Sequence, residues 1–172
     1  MEVAEVEGER AALRFRSGLK VRAKVALGCD GIWSRIRRQL FDASEPDYAG
    51  SSMVYGRVPG ESLLVQREPR AFHLVLDADF SLLTSHYHGE KPETWFALVL
   101  QRPKPLSHDV ESRARFEKES RAALAKHAFL KPYVDAVETH GFGQSFSLYT
   151  RTLHSAFKWY HGPYCLLGDA IH

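Results

Sequence analysis

With 172 residues, 44% apolar and 26% charged, the sequence has the composition of an ordinary globular chain able to bury a core. A net charge of +2, with no basic run longer than Arg37-Arg38, gives no electrostatic case for nucleic acid or an anionic membrane as partner. No apolar stretch has the length to cross a bilayer, and the acidic start MEVAEVEGER lacks the apolar region of a secretory signal. Cys29 and Cys165 have neither metal-ligand spacing nor the density of a disulfide framework. The expected setting is therefore reducing and intracellular, a cytoplasm by default, with an organelle signal upstream left open.

In chain order, residues 3–6 and 11–15 alternate as strands, and Ser17-Gly18 makes a tight turn. Leu19, Val21, Ala23, Val25 and Leu27 then fall on one face of a predicted strand that grows more buried toward its end. That strand runs into GCDGIWSRIRRQLF, where two glycines bound an acidic turn. Trp33, Ile36 and Leu40 come next with helical spacing.

Residues 51–58, 71–77, 80–88 and 94–101 read as four β segments separated by Pro, Gly and acidic turns. Residues 109–128 read as a charged helix and 131–139 as a shorter one. The sheet resumes over 142–150, WYHGPY turns the chain, and YCLLG is a buried strand leading into Asp169. There is no internal repeat.

Two features carry chemical information: Asp30-Gly31 and Gly168-Asp169, each placed after an apolar strand. A glycine at a strand end lets a ligand approach the backbone, and a neighbouring carboxylate can accept hydrogen bonds from sugar-type hydroxyls. In open α/β sheets ligands gather at the carboxyl ends of strands. One Asp-Gly dipeptide alone is common turn chemistry, and Arg37 alone reads equally as a solvated helix charge. His86 and His88 share a strand face, but with no third ligand in view they read as a half-exposed pair and no metal site is assigned. Cys29 and Cys165 read as fillers of small buried spaces. Tyr55, Phe72, Phe80, Trp95 and Phe96 either line an aromatic cavity or, for most of them, fill the sheet core.

Taken as a pair, the two turns resemble the FAD-dependent monooxygenases of the para-hydroxybenzoate hydroxylase type. GCDGIWSRIR is similar to that family's D-G-x-x-S-x-x-R fingerprint and LLGDAIH to its later one, with wording nearest the zeaxanthin epoxidase and salicylate hydroxylase branches. The resemblance implies an α/β (α+β) fold: part of a Rossmann-like FAD/NAD(P)-binding domain with a β-sheet substrate domain. It divides the chain into 1–48 and 151–172 for the flavin domain and 49–150 for the substrate domain. It further implies that Asp30 and Gly31 sit by the FAD pyrophosphate and the transient NAD(P)H, that Arg37 handles NAD(P)H, and that Gly168 and Asp169 contact the flavin side chain. His172 matches the later motif's histidine, without an assigned role.

The implied reaction is hydroxylation or epoxidation of an aromatic or isoprenoid-type substrate by O2, through a flavin C4a-hydroperoxide formed after reduction by NAD(P)H. No catalytic side chain is assigned. The family's G-x-G-x-x-G unit is not matched, since GFGQSF at Gly141 has no third glycine and no helix after it. The chain is therefore expected to be a fragment that does not retain FAD by itself. Two other readings stay open: a non-catalytic remnant, and a flavin-dependent reductase of the same superfamily.

Overall fold

A computed structural model describes residues 1–60, 72–87, 90–152 and 157–172. The chain divides into two compact units, one of residues 1–47 and 149–172, the other of residues 48–148.

The first unit opens with a three-stranded antiparallel meander of β1 (Val3–Glu7), β2 (Arg10–Arg14) and β3 (Lys20–Ala23). The single strand expected over residues 19–27 is in fact two. β3 pairs with β2, whereas β4 (Ala26–Gly28) joins a second sheet of order β10-β11-β4. In that sheet β10 (Tyr160–His161) is antiparallel to β11 (Tyr164–Leu166), and β11 is parallel to β4.

The expected buried face is also reversed. Leu19, Val25 and Leu27 are exposed, whereas Ala26 and Gly28 face the core. Gly28 has no room for a side chain: a Cβ there would lie 2.8 Å from Cδ2 of Leu166, its neighbour across the sheet on β11, and 3.5 Å from Ile36 on the helix that follows. The core of this unit gathers Ala4, Ala11, Ala26, Ile36, Tyr164 and Leu166. The Tyr164 hydroxyl donates toward the carbonyls of Glu5 (2.9 Å) and Ala12 (2.8 Å), which ties β11 to the meander.

The second unit is built on a five-stranded sheet of order β6-β7-β8-β5-β9. Its strands are β5 (Asp47–Pro59), β6 (His73–Leu76), β7 (Phe80–Tyr87), β8 (Glu93–Gln101) and β9 (Ser145–Thr150). Alternation decides the faces. Val54, Val58, Phe80, Leu82, Phe96 and Leu98 turn inward to meet Phe116, Leu124, Leu130, Tyr133 and Val137 from the helices. On the other face Arg57 stands across from Trp95, and Tyr55 across from Ala97. Phe80 and Phe96 are therefore core residues, while Phe72 is exposed.

The two helices are α2 (Val110–Leu124) and α3 (Lys131–His140). Asp109 caps α2 through Ser112 N at 2.6 Å. The helix ends short of residue 128 because His127 turns extended, its Nε2 lying 2.8 Å from Asp77 Oδ2. His88 lies outside the described residues, and among those described no group of three His, Cys, Asp or Glu could hold a metal. No helix among them is long and apolar enough to cross a membrane.

Candidate functional site

The remaining helix, α1 (Arg35–Leu40), begins just after β4 and organises the first glycine–aspartate turn. Asp30 Oδ1 accepts from Ser34 Oγ at 2.5 Å, and Oδ2 accepts from the backbone N–H groups of Arg35 (2.8 Å) and Ile36 (3.3 Å). Ser34 in turn accepts from Arg37 N at 3.0 Å. Between them the two side chains satisfy three of the N–H groups that a helix start leaves open, and the carboxylate complements the positive end of the helix. The spacing D-G-x-x-S is thus a helix cap as well as a fingerprint.

Arg37 is fully buried. Its Nη1 donates to Ala170 O (3.0 Å) and its Nη2 to Ile32 O (2.7 Å), so one guanidinium bridges the two motif loops across 133 residues of sequence. Burial pulls its pKa below the usual arginine value, Arg151 pushes it further down, and Asp42 offsets part of this. Nearby Arg151 holds the segment after the helix: Nη1 donates to Asp42 Oδ2 (3.0 Å) and Ser44 Oγ (2.7 Å), and Nη2 donates to Ser44 O. Hydrogen bonds from Ser44 Oγ and N keep the Asp42 carboxyl below its ordinary range.

The second turn, Gly168–Ala170, is a short 3-10 helix placed after β11. Because β4 and β11 are parallel, in the register Ala26↔Tyr164 and Gly28↔Leu166, both turns leave the sheet at the same end. Leu167 N extends the pairing by donating to Gly28 O at 3.0 Å. The two turns therefore lie side by side at the carboxyl ends of the paired strands.

A cavity of about 310 Å³ opens there, lined by Cys29, Gly31, Leu167, Gly168 and Asp169. Gly31 and Gly168 have φ of +77° and +57°, and nothing lies within 4 Å of where either Cβ would be. That is left-handed backbone beside open space, which glycine adopts without strain. The Asp169 carboxylate is exposed and has no hydrogen-bond or ion-pair partner among the described residues.

Of the five residues singled out from the sequence, Gly31, Gly168 and Asp169 line this cavity, whereas Asp30 and Arg37 stand behind it. Cys29 departs from the expectation of a buried filler: it is exposed and lines the cavity, and Cys165 is half-buried. Arg151 carried no sequence signal, since its partners lie more than 100 residues away.

No protein-family profile matches the sequence. The FAD-dependent monooxygenase pigN of Monascus ruber is 28% identical over 179 residues, covering 98% of this chain and 40% of that protein. The chain is similar to FAD-dependent monooxygenases along its whole length. A chloroplastic zeaxanthin epoxidase from an Oncidium hybrid cultivar is 37% identical over 49 residues, or 28% of this chain and 7% of the epoxidase. Among solved structures, 2,6-dihydroxypyridine-3-hydroxylase from Arthrobacter nicotinovorans shares the fold with a TM-score of 0.76 at 22% identity, over 98% of this chain and 48% of the hydroxylase. The chain thus spans between two fifths and one half of the length of these two full-coverage relatives.

Proposed function

We propose that this protein is an FAD- and NAD(P)H-dependent monooxygenase that hydroxylates or epoxidises an aromatic or isoprenoid-type small molecule with O2. The observation that carries this reading is the convergence of two glycine–aspartate turns on one cavity at the carboxyl ends of two parallel strands. Support comes from the likeness to an FAD-dependent monooxygenase along the chain and from the fold shared with a pyridine hydroxylase.

The residues present suit a flavin nucleotide. An unpartnered carboxylate, two glycines open to close approach and a cavity beside them form a place for a hydroxyl-rich, extended group. When bound, FAD supplies the redox chemistry, with NAD(P)H as hydride source and O2 as oxygen source. Asp169 accepts a hydrogen bond from a cofactor hydroxyl, and Gly31 and Gly168 admit the cofactor to the backbone. Asp30 acts through the helix cap. Arg37 acts by holding the two loops at a set spacing, so that its effect on NAD(P)H is transmitted through the loops.

The test is FAD retention by a full-length parent protein that contains this chain. Asp169→Ala should weaken FAD binding by about tenfold to a hundredfold, the value of a hydrogen bond to a charged acceptor. Unchanged retention would remove Asp169 from the site. Incorporation of one labelled atom from O2 into product separates a monooxygenase from a flavin-dependent reductase, whose product carries no oxygen from O2.

A further inference from the structure

Two buried guanidiniums stand close together in the unit of residues 1–47 and 149–172, with little negative charge to balance them. Arg37 is fully buried, and the Arg151 side chain is 5% exposed. Burial depresses the Arg37 pKa and Arg151 depresses it further, while Asp42 is the acid that most offsets this. Neither Nε–H has a hydrogen-bond partner among the described residues. Buried polar groups are normally paired, so the two arginines have positive charge and donors to spare.

The segment beside Arg151, residues 42–46, has no regular secondary structure, and Ser44 is exposed at its centre. Ser44 Oγ accepts from Arg151 Nη1 at 2.7 Å and donates to Asp42 Oδ2 at 2.6 Å. Arg38, on α1, holds the next residue, Glu45, at 3.2 Å. Of the serines in the sequence, Ser44 alone is followed by acids both one and three residues later, Glu45 and Asp47. Both are exposed. An exposed hydroxyl in an irregular segment, with carboxylates on its C-terminal side, suits a protein kinase whose substrate groove is basic.

We propose that Ser44 is a phosphorylation site whose phosphoryl group is received by Arg151. Ser44 Oγ attacks the γ-phosphorus of a nucleoside triphosphate held by such a kinase. The bond from that phosphorus to the oxygen bridging it to the β-phosphorus breaks, the hydroxyl proton passes to the kinase's base, and nucleoside diphosphate leaves. The Asp42 side chain is 39% exposed and free to turn to water, whereas Arg151 is buried and stays. The new dianion therefore takes the carboxylate's place on the guanidinium, with three oxygens as acceptors. Since Arg151 neighbours Arg37, and Arg37 holds both motif loops, charge added at Ser44 reaches those loops through two guanidiniums.

The experiment is treatment of the 172-residue chain with an acidophilic serine kinase and MgATP, mapped by mass spectrometry and followed by phosphorus NMR. The phosphate should map to Ser44, and Ser44→Ala should lose it. The second pKa of the phosphoserine should fall from about 6 in concentrated urea to about 5 or lower in the folded chain, a tenfold or larger loss of proton affinity. Arg151→Gln should return it most of the way to the urea value. Arg151→Lys, which keeps the charge without the fork, should leave it between the two. Where Arg151→Gln does not fold, the folded and urea-unfolded forms of the unmutated chain decide by themselves. No phosphate on Ser44, a phosphoserine that titrates alike in the folded and unfolded chain, or a lowered value that survives Arg151→Gln would each overturn the proposal.

Discussion

Two glycine–aspartate turns close neighbouring parallel strands, yet their carboxylates have opposite fates. Asp30 accepts three hydrogen bonds from Ser34, Arg35 and Ile36 and is consumed by the start of α1. Asp169 accepts none among the described residues and faces a cavity. The same pair of residue types thus serves as a cap in one loop and as a free acceptor in the other. The difference arises from the residues just downstream of each dipeptide. S-R-I-R-R continues as a helix with N–H groups to satisfy, while Ala170 and Ile171 close a single 3-10 turn on themselves. Arg37 joins the two loops, so the contrast is held in place by one buried guanidinium.

The strongest test of that arrangement is Arg37→Met, which keeps the stem volume and removes the donors. It strands the carbonyls of Ile32 and Ala170 in a buried site, and should lower unfolding stability by about 3 kcal/mol. A urea midpoint that stays in place would show that the loops are held together by other contacts. Asp30→Ala comes next, at about 2 kcal/mol, because it removes a charged cap that satisfies two backbone donors and the Ser34 hydroxyl. Loss of FAD without loss of stability in this variant would reverse the division of labour between the two aspartates.

A pH experiment probes the strand pair that carries both loops. Burial raises the Tyr164 pKa above the usual phenol value of 10.0. The unfolded chain ionises this phenol first, so its share of stability is intact below pH 10.0 and is lost as pH rises from there through the higher folded value. Between about pH 9 and 11 the parent should therefore lose more stability than Tyr164→Phe, measured as the shift of the urea midpoint. Equal losses would place the phenol in contact with solvent. The smallest effect belongs to Asp169→Ala, within about 0.5 kcal/mol of the parent in stability, since no hydrogen bond or ion pair among the described residues involves that side chain. A large loss would make it a second structural cap and end the contrast.

Much of the architecture was legible because it is written in local chemistry. Residues 80–87 alternate so regularly that Phe80, Leu82 and Thr84 are buried in turn, and the Asp109 cap marks the start of α2. The turn motifs were legible for the same reason, since a glycine at a strand end states a backbone requirement. What local pattern could not reveal was the exposure of Leu19, Val25 and Leu27. Their alternation says only that they share a face, and the core formed by Ile36, Tyr164 and Leu166 took in Ala26, beside Gly28, instead.

Sequence alone determined which residues lie at the strand ends and that two of those ends suit a close-lying ligand. Tertiary structure decided what each side chain does there. The carboxylate of Asp30 is spent within its own loop, and Arg37, three residues past its cap, reaches a carbonyl 133 positions away. Such partners are set by the parallel pairing of β4 with β11, a contact between segments more than 130 residues apart. The physical reason is that hydrogen-bond demand is local, while the supply of buried acceptors depends on which distant strand packs alongside.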